Sequence, residues 1–222
     1  WIIHATRKFA MDTMKIRMYA KSEATINNIM EAARTLFSEK NYADVTLAEI
    51  SAHAEVSKGA LYHHFSSKED LYLRMMHHFL GQVQAITQNE VENSIGSCRE
   101  RLHQSVLSFL KLQAELHSVV RLVRRDINIF TDPMRNELIR AYQTAVPEQV
   151  QTIITDGIAA GEVQDIDARL LSWELVAIVE VALRPYSRRI LGDPEHMADY
   201  VVGLFLDGVA VNQSGKTSWH AG

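Results

Sequence analysis
The chain has 222 residues, 47% of them apolar and 23% charged, and a formal net charge of −4. That apolar share supports a real core, while only four prolines and ten glycines argue against disorder and against an all-β design. The single cysteine, Cys98, excludes an intramolecular disulfide and fits a reducing cytoplasm, and no apolar run is long enough to span a membrane.

Residues 1–24 read as a flexible basic arm. Among residues 1–21, Arg7, Lys8, Lys15, Arg17 and Lys21 face Asp12 alone, five cations against one anion for a local charge of +4. Such a segment either lies along phosphates or in a minor groove, or is a solvated tail. Its charges break its apolar pieces, so it is not a clean signal peptide. The chain does not open on methionine, and Met11 or Met14 is the expected natural start. Ile26, Ile29, Met30, Ala33, Leu36 and Phe37 then fall on one stripe of a helix from about Thr25 to Glu39.

The segment Thr46–Lys68, TLAEISAHAEVSKGALYHHFSSK, carries the strongest local signals. Thr46 is a good N-cap, and Glu49 completes a capping box. Leu47, Ile50 and Ala54 share a face, so a short helix can bury a stripe. Val56 is apolar inside a turn, and Ser57 is a second N-cap that starts a helix at Lys58. Leu61 and Phe65 point inward together, which leaves Lys58, Gly59, Ala60, Tyr62 and His63 outward. Gly59 and Ala60 are small and allow close approach to base edges, while Tyr62 and His64 can donate to phosphate oxygens. Ser66-Ser67 stop the second helix. Lys68 follows in the first turn of the next one, and a helix N-terminus with a lysine beside it is a ready phosphate site. This is the layout of a helix-turn-helix that reads DNA, although a plain helical hairpin has the same outline.

With its tyrosine, histidine, phenylalanine and lysine in register, the segment closely resembles the DNA-binding segment of the TetR family of ligand-responsive repressors. The matching positions are Thr46, Ile50, Ala54, Val56, Ser57, Gly59, Tyr62, His64, Phe65, Lys68 and Leu71. Ser51 stands where alanine is usual, and Glu55 where a turn glycine is usual. Glu55 is therefore expected at positive φ, at a cost of about 1 kcal/mol. The resemblance covers about residues 25–75. It implies an all-α fold, with a three-helix helix-turn-helix head at 25–72 and a helical ligand-binding and dimerisation body at 73–212. A frayed polar tail at 213–222 completes the division. Thr46, Tyr62, His64 and Lys68 are assigned to phosphates, and Lys58, Gly59, Ala60 and His63 to base edges, with Ser57 at the helix start. From Lys21 to Leu71 the charge is acidic, so affinity is expected to rest on placed contacts and dimer symmetry.

Beyond the head, a helix from Lys68 to about Val91 turns Leu71, Met75, Phe79 and Ile86 inward. The family resemblance makes it the link that carries the ligand signal. Residues 97–115 form an amphipathic helix with Leu102, Val106, Phe109, Leu110 and Leu112, and His117–Asn128 a shorter one. Thr131-Asp132-Pro133 starts another, which runs to about Thr155 with Pro147 kinking or interrupting it. Gly157 and Gly161 then mark a turn. Asp167–Leu183 and Met197–Val209 are apolar all round and must be covered on all sides. They are either internal core or, as the resemblance implies, a four-helix dimer bundle. The expected interface residues are Leu171, Leu175, Ile178, Val179, Val201, Leu204 and Phe205. Phe79, Phe109, Tyr142, Trp173 and Glu180 are the candidate ligand contacts, for a hydrophobic or amphipathic small molecule. Glu180 near Arg184 equally fits an interhelical ion pair.

No catalytic motif, P-loop or dinucleotide fingerprint is present, and ten histidines show no metal-ligand spacing, so neither enzyme activity nor a cofactor or metal is expected. The expected function is a homodimeric, cytoplasmic (bacterial nucleoid) repressor that leaves a palindromic double-stranded DNA operator when its ligand binds. Two rivals stand beside it. One is an activator with the same head, and the other is a helical ligand-binding protein or enzyme with an incidental helix-turn-helix.

Overall fold
A computed structural model describes the backbone of residues 2–209 and the side chains of residues 20–207. Among the described residues there are eleven α-helices and no strand, in keeping with the all-α expectation. They are α1 (Ile2–Glu39), α2 (Leu47–His53), α3 (Lys58–His64), α4 (Lys68–Asn93), α5 (Cys98–Leu110), α6 (Ala114–Asp126), α7 (Met134–Ala145), α8 (Pro147–Ala159), α9 (Ala168–Ala182), α10 (Pro185–Leu191) and α11 (Pro194–Val209). A single 3-10 turn, Tyr42–Asp44, joins α1 to α2.

α1 reaches back to Ile2, so the basic segment expected as a separate arm continues the head's first helix. Residues 2–39 contain no glycine or proline, and their alanine, methionine, arginine and glutamate favour helix. The side chains of Arg7, Lys8, Lys15 and Arg17, like the tail 213–222, lie outside the described residues.

The chain divides into two compact units that are not contiguous in sequence. The first holds the described residues up to His78 together with Arg121–Leu138. The second holds Phe79–Val120 and the described residues from Ile139 onward. The expected division at 72/73 put Arg121–Leu138 in the body, whereas by packing this segment belongs with the head. The reason is aromatic. Phe130 lies 4.9 Å from the Tyr42 ring and 5.1 Å from Tyr72, completing a cluster with Phe37. Ile29, Ile50, Leu61, Phe65, Leu71 and Met75 fill the rest of this core, each fully buried.

In the second unit α8 packs on α9 and α5, and α11 on α5 and α9. Gly157 lies inside α8 rather than at a turn. A Cβ there would come within 2.7 Å of Cys98 Sγ, so glycine permits the close approach of α8 to α5. Burial, and then the Glu162 charge, push the Cys98 thiol up to about 11. Gly161, at φ 74°, makes the turn itself. Pro147 ends one helix and begins another, α8, as its first residue. α10 was not foreseen, although Pro185 at its start and Gly192 at φ 80° at its end are ordinary stop and start signals. α5 stops at Leu110, earlier than the expected residue 115.

Candidate nucleic-acid interface
Helix α2, which leads into the turn before α3, is fixed at both ends by hydrogen bonds. Thr46 Oγ1 accepts the Glu49 amide at 3.2 Å, while the Glu49 carboxylate accepts the Thr46 amide at 2.8 Å, the reciprocal capping box read from the sequence. Hydrogen bonds from Lys40 and then Thr46 bring the Glu49 carboxyl down to about 2. At the other end of α2, the Val56 amide reaches Ser51 O at 3.0 Å and the Glu55 amide reaches Ala52 O at 3.2 Å. That pair of bonds is a Schellman motif and places Glu55 in the left-handed region, at φ 54°. The positive φ inferred from the missing glycine is thus present.

Ser57 caps α3 by accepting the Ala60 amide at 3.1 Å. Leu61 and Phe65 are fully buried, and they hold the helix so that Lys58, Gly59, Tyr62 and His63 face outward, Tyr62 with 58% exposure. Ala60 is half-buried. A Cβ on Gly59 would meet only Ser57 Oγ, at 3.9 Å. The protein's own packing does not require glycine there, so any need for it comes from outside. The end of α3 is capped by Arg74, whose Nη1 donates to His64 O at 2.7 Å and whose guanidinium lies 4.5 Å from the Phe65 ring centre. His64 is half-buried. Desolvation, and then the neighbouring His63 and Arg74, hold its pKa below the usual histidine value. It therefore offers a neutral N–H at pH 7.

Two of the residues expected at phosphates are engaged within the head itself. Lys68 Nζ donates to Tyr42 O at 2.9 Å and Val45 O at 3.0 Å and lies 4.3 Å from the Tyr42 ring centre. Its charge is directed toward the protein, where it satisfies carbonyls beside the 3-10 turn. Thr46 is exposed, but its hydroxyl donates to Glu49 Oε2 at 2.8 Å while accepting the Glu49 amide, so both of its functions serve the cap.

The second unit divides the remaining expected residues. Tyr142, Trp173 and Glu180 come together: Tyr142 Oη donates to Glu180 Oε1 at 3.3 Å, and the two rings are 5.8 Å apart. Phe79 and Phe109 are buried core residues. None of these five lines the groove of about 610 Å³ formed by α4, α5 and the start of α6. Its walls combine Ile86, Leu107, Leu112 and Leu116 with the amides of Gln82, Gln104 and Gln113, and with Lys111, Glu90 and Ser108. Ile86, expected inward, is in this wall because α4 turns that side to the groove.

The expected dimer residues also redistribute. Leu171, Leu175, Val179, Val201 and Phe205 are at most 7% exposed and pack inside their own chain. Ile178 is half-buried, and Leu204 alone of the seven is exposed. On these two helices the large apolar groups that face outward are Leu170 and Val181 on α9 and Tyr200 and Leu204 on α11. A helix apolar all round hides its orientation, and the sequence offered no contrast by which to choose the outer stripe. Among the described residues no helix is long and apolar enough to cross a membrane.

Comparison with known proteins agrees with this geometry. Residues 29–75 match the family described as "Bacterial regulatory proteins, tetR family", and residues 96–209 match "Tetracyclin repressor-like, C-terminal domain". The HTH-type transcriptional regulator TtgR of Pseudomonas putida is 27% identical over 195 residues, covering 82% of this chain and 92% of that protein. A bacterial regulatory protein in the tetR family from Rhodococcus RHA1 superposes with a TM-score of 0.72 at 21% identity, covering 85% of this chain and 98% of the other. The transcriptional regulator FadR from Bacillus subtilis, solved in complex with stearoyl-CoA, gives a TM-score of 0.68 at 18% identity, covering 82% and 97%.

Proposed function
Because the chain belongs to the tetR family of bacterial regulatory proteins, we propose that it is a homodimeric repressor whose heads occupy a palindromic operator and leave it when a small molecule fills the second unit. Its work is binding rather than catalysis, carried out on the nucleoid in the bacterial cytoplasm. The outer face of α3 supports the DNA reading most directly. Seven residues make a helix about 10 Å long, which fits a major groove. Lys58, Gly59, Ala60 and His63 take the base edges, and Tyr62 and the His64 N–H take phosphates, with Ser57 at the helix start. Lys68 takes no DNA contact. One head of modest charge reads too little sequence alone, so the two-fold axis is part of the mechanism. Leu170, Val181, Tyr200 and Leu204 supply that contact between copies.

The groove along α4, α5 and α6 takes the ligand. Its mixture of aliphatic and amide side chains suits an amphipathic molecule, the class to which the stearoyl-CoA held by the Bacillus relative belongs. A ligand releases DNA only if it prefers the conformation that fits the operator less well.

Selection of bound DNA from a random pool tests the reading, with an inverted repeat as the expected result. Absence of any enriched sequence would remove the function. Adding stearoyl-CoA to the selected complex then tests the ligand class. A reporter whose output falls, rather than rises, when the protein is removed makes it an activator.

A further inference from the structure
We propose that Arg125, Asp126 and Tyr72 form a latch that orients the reading head, so that these residues position the DNA contacts without touching DNA. Asp126 is only 1% exposed. A carboxylate so deep in a protein is costly unless its oxygens are paired. Here Oδ2 accepts Tyr72 Oη at 3.0 Å and Arg125 Nη2 at 2.8 Å, while Oδ1 accepts Arg125 Nε. The same Nη2 donates to Phe37 O at 2.9 Å. Phe37 lies in the last turn of α1, where carbonyls have no partner within the helix. Burial, and then the Asp126 charge, drive the Tyr72 hydroxyl far above its ordinary value, so it remains a donor at any working pH.

Three helices therefore meet at the Arg125–Asp126 pair: the end of α1 through Arg125, the second turn of α4 through Asp126, and the last turn of α6, which carries both. The placement is directional. A buried apolar side chain of similar size fills the same space at lower cost, but it tolerates small rotations that forked hydrogen bonds do not. Lys68, one turn before Tyr72 on α4, holds the carbonyls of Tyr42 and Val45. The latch and this lysine flank the Phe37–Tyr42–Tyr72–Phe130 ring cluster, which leads directly into α2 and α3. α6 also contributes Leu116 to the groove wall, so a single helix carries both a groove residue and the latch.

The test uses the full chain with Tyr72→Phe, Arg125→Gln and Asp126→Asn, and it rests on the two-headed reading above. Random-pool selection with half-sites at variable separation is expected to give wild type one preferred spacing. Its advantage over spacings one base pair longer or shorter should fall by about 10-fold in each variant, the effect of a lost hydrogen bond to a charged group. The salt slope of binding should stay unchanged, because no phosphate contact is removed. Intact spacing preference in Tyr72→Phe and Arg125→Gln overturns the proposal. So does a Tyr72→Phe chain without a cooperative melt, which makes the contact simple core packing. If wild type instead selects single half-sites without fixed spacing, the two-headed reading fails and hydrogen exchange decides the latch. Amides in the last turn of α1 and in Tyr42–Val45 should then exchange about 10-fold faster in Tyr72→Phe. Unchanged exchange there overturns the latch by itself.

Discussion

Helices α3 and α9 pose opposite problems of orientation. In α3, two large apolar residues, Leu61 and Phe65, sit among small and polar neighbours, and only one way of seating the helix buries both. In α9, apolar residues occur on every side, and the outward stripe through Leu170 and Val181 is as hydrophobic as the inward one through Leu171 and Leu175. Amphipathic contrast orients a helix only when its outer face is meant for water. On the function proposed above, a face meant for another protein removes the contrast that would identify it, whereas a DNA-reading face of Lys, Gly, Tyr and His preserves it.

The largest expected effects exploit this difference. Leu175→Ala should lower the stability of the chain by about 2–5 kcal/mol in urea unfolding, because it leaves a cavity in a fully buried site. Leu204→Glu should leave the monomer's unfolding within about 0.5 kcal/mol of wild type yet convert the dimer to monomer by sedimentation. Operator affinity should then fall at least ~100-fold, because one head must bind without the other. If Leu204→Glu stays dimeric, the outward stripe of α11 is not the interface. If Leu175→Ala dissociates without being destabilised, the inner and outer assignments of α9 are reversed.

Next comes Lys68, the residue whose expected and observed roles differ most. Lys68→Ala should cost about 2–3 kcal/mol of stability through its two charge-assisted bonds to carbonyls. The slope of log affinity against log salt should be unchanged where the head remains folded. A slope lower by about one unit would return Lys68 to the phosphate contacts. Its position in the first turn of α4 was legible in the sequence. What it lacked was the 3-10 turn at Tyr42–Asp44, whose carbonyls lie within reach only after the chain has folded back across more than twenty residues.

Smaller effects come from two single residues on either side of the turn. Glu55→Gly should stabilise the head by about 0.5–1 kcal/mol, since glycine adopts φ 54° without strain. Gly59→Ala should also be stabilising or neutral in thermal unfolding, since an alanine Cβ meets nothing closer than 3.9 Å and favours helix by about 1 kcal/mol. Operator binding separates them: Gly59→Ala should weaken it while Glu55→Gly should not. Equal binding by Gly59→Ala and wild type would mean that α3 does not approach bases closely at this position.

How far the sequence could be read follows from the range of the interactions. Caps, turn and recognition helix at Thr46–Lys68 are set by partners three to five residues apart, and the capping box, the Ser57 cap and the strained Glu55 were all visible there. The head's boundary was not, because Asp126 and Phe130 enter its core from more than fifty residues beyond Tyr72. Nothing in RRDINIF distinguishes a segment docking on the head from one docking on the body. The candidate ligand residues were dispersed for a related reason. Aromatic residues were favoured as pocket walls, but Phe79 and Phe109 are needed as core, and the groove is walled by aliphatic residues and glutamines.

The smallest effect is a proton. Burial and the nearby His63 and Arg74 keep the free head's His64 below the ordinary histidine pKa, so the folded state holds its proton less tightly than the unfolded chain does. This contribution to stability is present above the unfolded value near 6.5 and diminishes as pH falls through it. A phosphate beside the ring reverses the preference by stabilising the charged form. Operator binding should therefore take up a proton, and affinity should rise severalfold between pH 7.5 and 5.5 for wild type, more than for His64→Gln. The comparison with His64→Gln isolates this residue from His63 and the other histidines. Matching pH profiles for the two proteins would place His64 away from the phosphates, leaving Tyr62 as the only phosphate donor assigned to α3.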